Sequence, residues 1–204
     1  MLNVGLTGGI ASGKSTVARL LVEKGAFLVD ADALVRELEA PGTEVWEAIV
    51  AHFGAEILKE DRTIDRRRLG AIVFADARAR KILNRMVHPA VHEERRRRIA
   101  TIAAVHPQAI ILSDVPLLFE TGMQSDFDLI LLVYVPLAVQ RERLVSRNGF
   151  SCEEAEARLT SQMPITTKVT LADLVIRNDG GFSETERQIG AVWAELLKRE
   201  REKG

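Results

Sequence analysis

Short apolar runs alternate with helix-spaced repeats along the chain. Leu2 to Thr7 is apolar and runs straight into glycines, which predicts a buried strand entering a tight turn. Val17, Leu20, Leu21 and Lys24 follow at helical spacing, Gly25 supplies a stop, and Phe27, Leu28 and Val29 make a second short strand. Further buried strands are predicted at Ala109 to Ser113 and Leu129 to Val135, with a weaker one at Leu174 to Ile176. Strand, helix, strand units of this kind specify an α/β fold, a parallel sheet with helices packed on both faces.

The stretch between the second and third strands is too long for a simple crossover. It carries helical patterns at Thr43 to Phe53, Arg66 to Phe74 and Ala77 to Ala104, so residues 37–106 are expected to form a helical insertion beside the sheet. Pro89 should break or kink the longest of these helices. A charged helical stretch from Leu137 to Ser161, turned at Asn148 and Gly149, gives residues 137–171 the character of a lid. The final helix, Glu184 to Glu202, sets Ile189, Val192, Trp193 and Leu196 on one face, a pattern of core packing. Residues 1–36, 107–136 and 172–204 remain as the core around the sheet.

Composition narrows the class. At 204 residues the chain suits one compact domain with an insertion better than two independent ones. Its 28 basic and 29 acidic residues leave a net charge of -1, which argues against a protein that coats nucleic acid. The longest aliphatic stretch, Leu129 to Val135, stops at Pro136, far short of the roughly 20 apolar residues of a membrane span. No basic leader precedes the first glycines and the lone Cys152 has no internal disulfide partner, so a cytoplasmic enzyme is expected. Four scattered histidines beside that cysteine offer no zinc-ligand spacing.

Gly8, Gly9, Ile10, Ala11, Ser12, Gly13, Lys14 and Ser15 match G-x-x-x-x-G-K-[ST], after a predicted strand and before a predicted helix, the context that motif requires. Backbone N–H groups from this loop and the first helical turn, through Thr16, can converge on phosphate oxygens only where side chains do not intrude, hence the glycines. Lys14 then reaches the outer phosphates of a nucleotide, and Ser15 offers a hydroxyl to a magnesium ion bridging the β- and γ-phosphates. The core is therefore expected to bind nucleotide in the manner of the P-loop nucleoside and nucleotide kinases.

Strands of a parallel sheet end at one edge, so Asp30 and Asp32 are expected beside the phosphate loop. Two residues apart, they point the same way if the strand continues. Asp32 is the stronger candidate to take a proton from an acceptor alcohol, and a helix N-cap is the competing use of either. Asp114 ends the third strand at the same edge, where a Walker-B acid would orient magnesium, or it serves the turn before Pro116. Arg141, Arg143 and Arg147 follow the strand Leu129 to Val135, with 143 and 147 one helical turn apart, able to clamp transferring phosphates unless they form a solvated face. Arg95 to Arg98 follow Glu93 and Glu94 and read as a salt-bridged surface helix. His88, before Pro89, either contacts substrate or fixes the helix break.

Taken in order, the Gly8 to Ser15 loop, Asp30-Ala31-Asp32, Ile64-Asp65-Arg66, His88-Pro89 and Asp114-Val115-Pro116-Leu117-Leu118-Phe119-Glu120 resemble the dephospho-CoA kinase family. The likeness continues through Arg143, Leu144, Arg147, Arg158, Gln162, Ala172-Asp173, Asn178 and Gly180. The loop is generic, whereas the Pro116 to Glu120 segment and the order of the motifs are specific. The resemblance implies ATP-dependent phosphorylation of the ribose 3′-hydroxyl of dephospho-coenzyme A, with a nucleotide core, a helical substrate domain and a lid. It implies Asp32 as general base, Arg143 and Arg147 as lid arginines, and Leu117 and Glu120 on the acceptor side, where His88 is also a candidate. Where family members often carry an Asp-Gly turn before Ile-Asp-Arg, this chain reads Asp61-Arg62-Thr63. A shikimate-type kinase would share the D-x-D segment but lacks its glycine triplet here, and the N-K-x-D guanine reader of GTPases does not occur. A nucleotide-binding module without chemistry is the remaining alternative, and no oligomeric state follows from these residues.

Overall fold

The computed structural model describes residues 1–203. In chain order its elements are β1 (Leu2–Gly8), α1 (Lys14–Glu23), β2 (Phe27–Asp30), α2 (Ala31–Leu38), α3 (Glu44–Phe53), α4 (Arg66–Ala75) and α5 (Ala77–Val105). Then come β3 (Ile110–Asp114), β4 (Leu129–Tyr134), α6 (Leu137–Asn148), α7 (Cys152–Thr160), α8 (Ile165–Leu171), β5 (Leu174–Arg177) and α9 (Phe182–Lys203). They form two compact units, one made of Met1–Val29 with the chain from Thr101 onward, the other of Asp30–Ala100.

The first unit is built on a five-stranded sheet in the order β2-β3-β1-β4-β5. β1 pairs in parallel with β3 and β4, and β4 with β5, in a register that sets Leu6 opposite Asp114 and Gly8 opposite Val133. Every residue of β1 is buried, as a strand covered on both faces must be. Val4, Leu6, Leu112 and Leu131 pack with Val17 and Leu21 of α1 and with Ile189 and Leu196 of α9, so the helical faces legible in the sequence are core faces. On Gly5 a Cβ would lie 2.7 Å from Leu118 Cδ1 and 2.8 Å from Phe127 Cδ2, so the connection after β3 closes directly on the strand backbone. Each fully buried aliphatic side chain contributes about 1.5–3 kcal/mol, so this layer readily outweighs a strained residue in the turn that follows β1. Beyond β4, α6 and α7 form a hairpin turned at Gly149 (φ 72°), and α7 opens with a Ser151/Glu154 capping box.

The second unit is helical, and its helix starts are capped by short polar side chains. The Asp30 carboxylate accepts from Ala33 N–H at 3.0 Å, Thr43 Oγ1 from Trp46 N–H at 3.2 Å, and the Asp65 carboxylate from Arg67 and Arg68 N–H. Trp46, Ile49, Phe53 and Ile57 form the centre of its own apolar core. Buried Glu39 meets Arg66 Nη2 at 2.6 Å; burial raises its carboxyl pKa while the guanidinium works against that rise. In the Asp61-Arg62-Thr63 turn, Arg62 takes φ 64°, the left-handed conformation natural to glycine. Trp46 Nε1 donates to the Arg62 carbonyl at 3.0 Å and the Arg62 guanidinium lies 5.1 Å from the Trp46 ring centroid, contacts that offset the backbone cost.

α5 runs through Pro89 as one continuous helix, so of the expected break or kink the break does not occur. The proline removes one backbone hydrogen bond, but Met86 and Val87 before it and Ala90 and Val91 after it pack on the same core and hold both halves in register. Glu93 pairs with Arg96, and Glu94 with Arg97 and Arg98, so these arginines are salt-bridged as the charge pattern predicts, whereas Arg95 of the same run is buried and does not belong to the surface face. Among the described residues no helix is long and apolar enough to cross a membrane, and no three His, Cys, Asp or Glu are grouped to hold a metal ion.

Candidate active site

β1 ends at Gly8 and α1 starts at Lys14, which leaves Gly9 to Gly13 as the turn between them. Ser12 N–H closes on Gly9 O at 3.1 Å, while Thr16 and Val17 N–H donate to Gly13 O. Ala11 (φ 58°) and Gly13 (φ 82°) both stand in the left-handed region, which curls the backbone into a concave nest. The N–H groups of Gly13, Lys14 and Ser15 meet no acceptor among the described residues, the donor set that an anion at a helix N-terminus requires. A cavity of about 410 Å³ lies over them, lined by Gly8 through Ser15 with Pro116, Leu144, Arg147, Asn148, Phe150, Arg158 and Gln162. Thr16 is outside that lining.

Lys14 Nζ donates to the carboxylate of Asp114, the buried last residue of β3. Ser15 is exposed at the start of α1. The oxygens of Ser15 and Asp114 are hard donors of the kind magnesium takes beside phosphate oxygens and water. Asp30 and Asp32 do not extend along one strand, because β2 stops at Asp30 and α2 begins at Ala31. Asp30 spends its carboxylate on the cap of α2, whereas Asp32, in the first turn, is exposed and has no hydrogen bond or ion pair among the described residues. The condition for the two to point the same way, a strand that continues through Asp32, is thus not met, and Asp32 keeps the available carboxylate. His88 is exposed on α5, and among the described residues its side chain makes no hydrogen bond.

The arginines after β4 do three different things. Arg141 pairs with Glu156 at 2.7 Å on the surface. Arg143 holds backbone, its Nη1 donating to Ala11 O at 3.2 Å and its Nη2 to Asn178 O at 2.8 Å. Arg147 lines the cavity without a hydrogen bond or ion pair among the described residues. Arg158, which charge spacing does not single out, lines the cavity as well, with its guanidinium 3.8 Å from the Phe150 ring centroid and Nη1 donating to Glu154 O. Leu144, Ala155 and Leu159 bury together with Ile10 and Ala11, so the α6–α7 hairpin is seated on the phosphate loop, and Gln162 Oε1 accepts Ile10 N–H at 3.0 Å.

On the segment after β3, Leu117 is exposed beside Pro116. The Glu120 carboxylate accepts Met163 N–H at 2.9 Å and lies 2.7 Å from Nζ of Lys168, a side chain with no exposure at all. The ammonium is off the angle of a hydrogen bond, so that contact is an ion pair. Sequence reasoning reaches Glu120 only through a resemblance and does not reach Lys168, because a lysine beside the threonines of α8 carries no sign of burial. Asn178 and Gln162 are likewise without a local signal, since their partners are in the loop at the far end of the chain.

Residues 2–184 match the family model described as dephospho-CoA kinase. The chain is 53% identical over 201 residues to a dephospho-CoA kinase of Syntrophus aciditrophicus, spanning 98% of this chain and 86% of that protein. Among solved structures it is similar to TT1252 from Thermus thermophilus, with TM-score 0.79 and 36% identity, over 96% of this chain and 97% of the other. A dephospho-CoA kinase from Campylobacter jejuni is similar with TM-score 0.73 and 28% identity, again over 96% and 97%.

Proposed function

The chain belongs to the dephospho-CoA kinase family, and from that premise we infer that it transfers the terminal phosphoryl group of ATP to the ribose 3′-hydroxyl of dephospho-coenzyme A. The products are ADP and coenzyme A, the final step of coenzyme A synthesis. The observation that carries the reading at the level of the site is the Gly8–Ser15 loop, whose free N–H groups open on a cavity that Arg147 and Arg158 also line. A shikimate-type acceptor is not favoured, because a relative matching 98% of this chain carries the other name.

In this reading the 3′-oxygen attacks the γ-phosphorus, its proton passes to the Asp32 carboxylate, and the bond from the γ-phosphorus to the bridging oxygen breaks as ADP leaves. Lys14, Arg147 and Arg158 hold the charge that spreads over the transferring group. Arg143 acts through the loop backbone, since its Nη1 donates to the Ala11 carbonyl and its Nη2 to the Asn178 carbonyl. Ser15 and Asp114 would hold a magnesium ion by their hard oxygens, and such an ion would supply positive charge to the phosphates. Residues 1–36, 107–136 and 172–204 serve as the nucleotide core, 37–106 as the acceptor-binding insertion and 137–171 as the lid. His88, Leu117 and Glu120 are assigned to the acceptor side, Leu117 through its exposed apolar side chain. A cytoplasmic setting belongs to the same reading and agrees with a free, exposed Cys152.

The test is incubation with ATP, magnesium and a panel of dephospho-coenzyme A, shikimate and nucleosides. ADP and coenzyme A should form in equal amounts from dephospho-coenzyme A, and transfer to another acceptor in its place ends the reading. Lys14→Ala should lower turnover about a hundredfold or more in a folded protein, the scale of one lost electrostatic stabiliser.

A further inference from the structure

Ala11, a residue with a Cβ, holds a left-handed backbone in the phosphate loop, and such a conformation persists only where its surroundings over-determine it. We propose that Asn178, oriented by Thr185, is a positioning residue that holds this loop in its anion-binding form. The proposal rests on the loop being the ATP phosphate site and adds the residue that aims its donors. Two successive loop carbonyls are pinned from elsewhere in the chain: Ala11 O accepts Arg143 Nη1 at 3.2 Å, and Ser12 O accepts Asn178 Nδ2 at 2.8 Å. In a trans peptide the C=O and the following N–H point in opposite directions. Pinning Ala11 O therefore turns Ser12 N–H the other way, and it closes on Gly9 O at 3.1 Å. Pinning Ser12 O turns Gly13 N–H away from Asn178, and that group has no acceptor among the described residues. Asn178 thus sets the direction of the Gly13 N–H, one of the free donors of the nest.

The amide of Asn178 has one workable orientation. The Ser12 carbonyl can only accept, so Nδ2 must face it, and Oδ1 then receives the Thr185 hydroxyl at 2.9 Å. Thr185 is 1% exposed on α9, where water cannot take over that hydrogen bond. The backbone of Asn178 is held on both sides, its N–H by Tyr134 O at 2.8 Å and its carbonyl by Arg143 Nη2 at 2.8 Å. A Cβ on Gly13 would overlap Asn178 Nδ2, so this glycine answers to the close approach of the amide as well as to its own φ of 82°.

Thr185→Val keeps the shape and removes the hydroxyl, Thr185→Ser keeps the hydroxyl, and Asn178→Asp sets an acceptor against the Ser12 carbonyl. For each, the readouts are competitive inhibition by inorganic tripolyphosphate and by adenosine, the KM for ATP and for dephospho-coenzyme A, and the melting temperature. Asn178→Asp should weaken tripolyphosphate and raise the KM for ATP about tenfold or more, and Thr185→Val about threefold, the scale of one hydrogen bond lost to a charged or a neutral group. Adenosine inhibition and the KM for dephospho-coenzyme A should stay within about twofold, and Thr185→Ser should match the parent. Unchanged tripolyphosphate inhibition in folded Asn178→Asp overturns the proposal. So does a lower melting temperature with every affinity intact, or a loss of adenosine in place of tripolyphosphate. If Asn178→Asp does not fold, the Thr185 pair decides by the same readings. Lys14→Ala separates the two levels: tripolyphosphate inhibition unchanged in that variant removes the phosphate site itself, whereas a weakened Lys14→Ala beside unaffected Asn178 and Thr185 variants removes only the brace.

Discussion

Removing the Glu120 carboxylate should destabilise the protein more than removing its cationic partner. Lys168 Nζ lies 2.7 Å from Glu120 Oε1, and the side chains are 0% and 19% exposed respectively. Glu120→Ala strands an ammonium where no water reaches and takes the acceptor from Met163 N–H. Stranding one member of a buried ion pair costs about 3–5 kcal/mol. Lys168→Met instead leaves a carboxylate with access to water that still accepts Met163 N–H, and it fills the lysine's space with an apolar chain; the cost is about 0–1 kcal/mol. For a chain of 204 residues, about 2–4 °C per kcal/mol converts these into falls in Tm of about 6–20 °C for Glu120→Ala and about 0–4 °C for Lys168→Met. With both substitutions together no charge is stranded, and most of the Glu120→Ala loss should be recovered. Differential scanning calorimetry of the three variants at neutral pH measures this. Equal shifts in the single variants, or a double variant no more stable than Glu120→Ala, would refute the reasoning that the desolvated lysine carries the cost.

Asp32→Asn should lower turnover by about a hundredfold to ten-thousandfold while ATP still binds, and recovery of a near-parental rate across a magnesium series would end the general-base assignment. Arg147→Ala should reduce kcat/KM about a hundredfold, whereas Arg141→Ala, which gives up only an exposed pair with Glu156, should stay within about twofold; steady-state kinetics that show equal losses would contradict the division of labour. Hydrogen bonds from Arg97 and then Arg98 lower the Glu94 carboxyl from its ordinary 4.5 to about 2. The folded chain therefore gives up that proton more readily than the unfolded one, so the stabilisation is complete above about pH 4.5 and is lost as pH falls toward 2. Glu94→Gln should flatten the pH dependence of the urea midpoint across that window, and an unaltered slope counts against the assignment.

The strands were legible in the sequence because burial on both faces leaves unbroken aliphatic runs such as Leu129 to Val133, and the helices from Thr43 and Arg66 were legible to within a residue of their observed starts. The phosphate loop was legible for the same reason: its donors, its glycines and Lys14 are neighbours in the chain, so the chemistry lies within one short motif. The choice between Asp30 and Asp32 depended on the single residue at which β2 gives way to α2, a boundary that a period-two pattern does not mark. Asn178 reaches Ser12 across 166 residues and Arg143 reaches Ala11 across 132, and no spacing rule connects such pairs. Lys168 reads as an ordinary polar residue until α8 packs against β4 and Glu120 arrives 43 positions from Met163 to meet it. Local motifs are set by neighbours along the chain; the direction of a peptide donor and the burial of a charge depend on segments that meet only once the sheet has assembled.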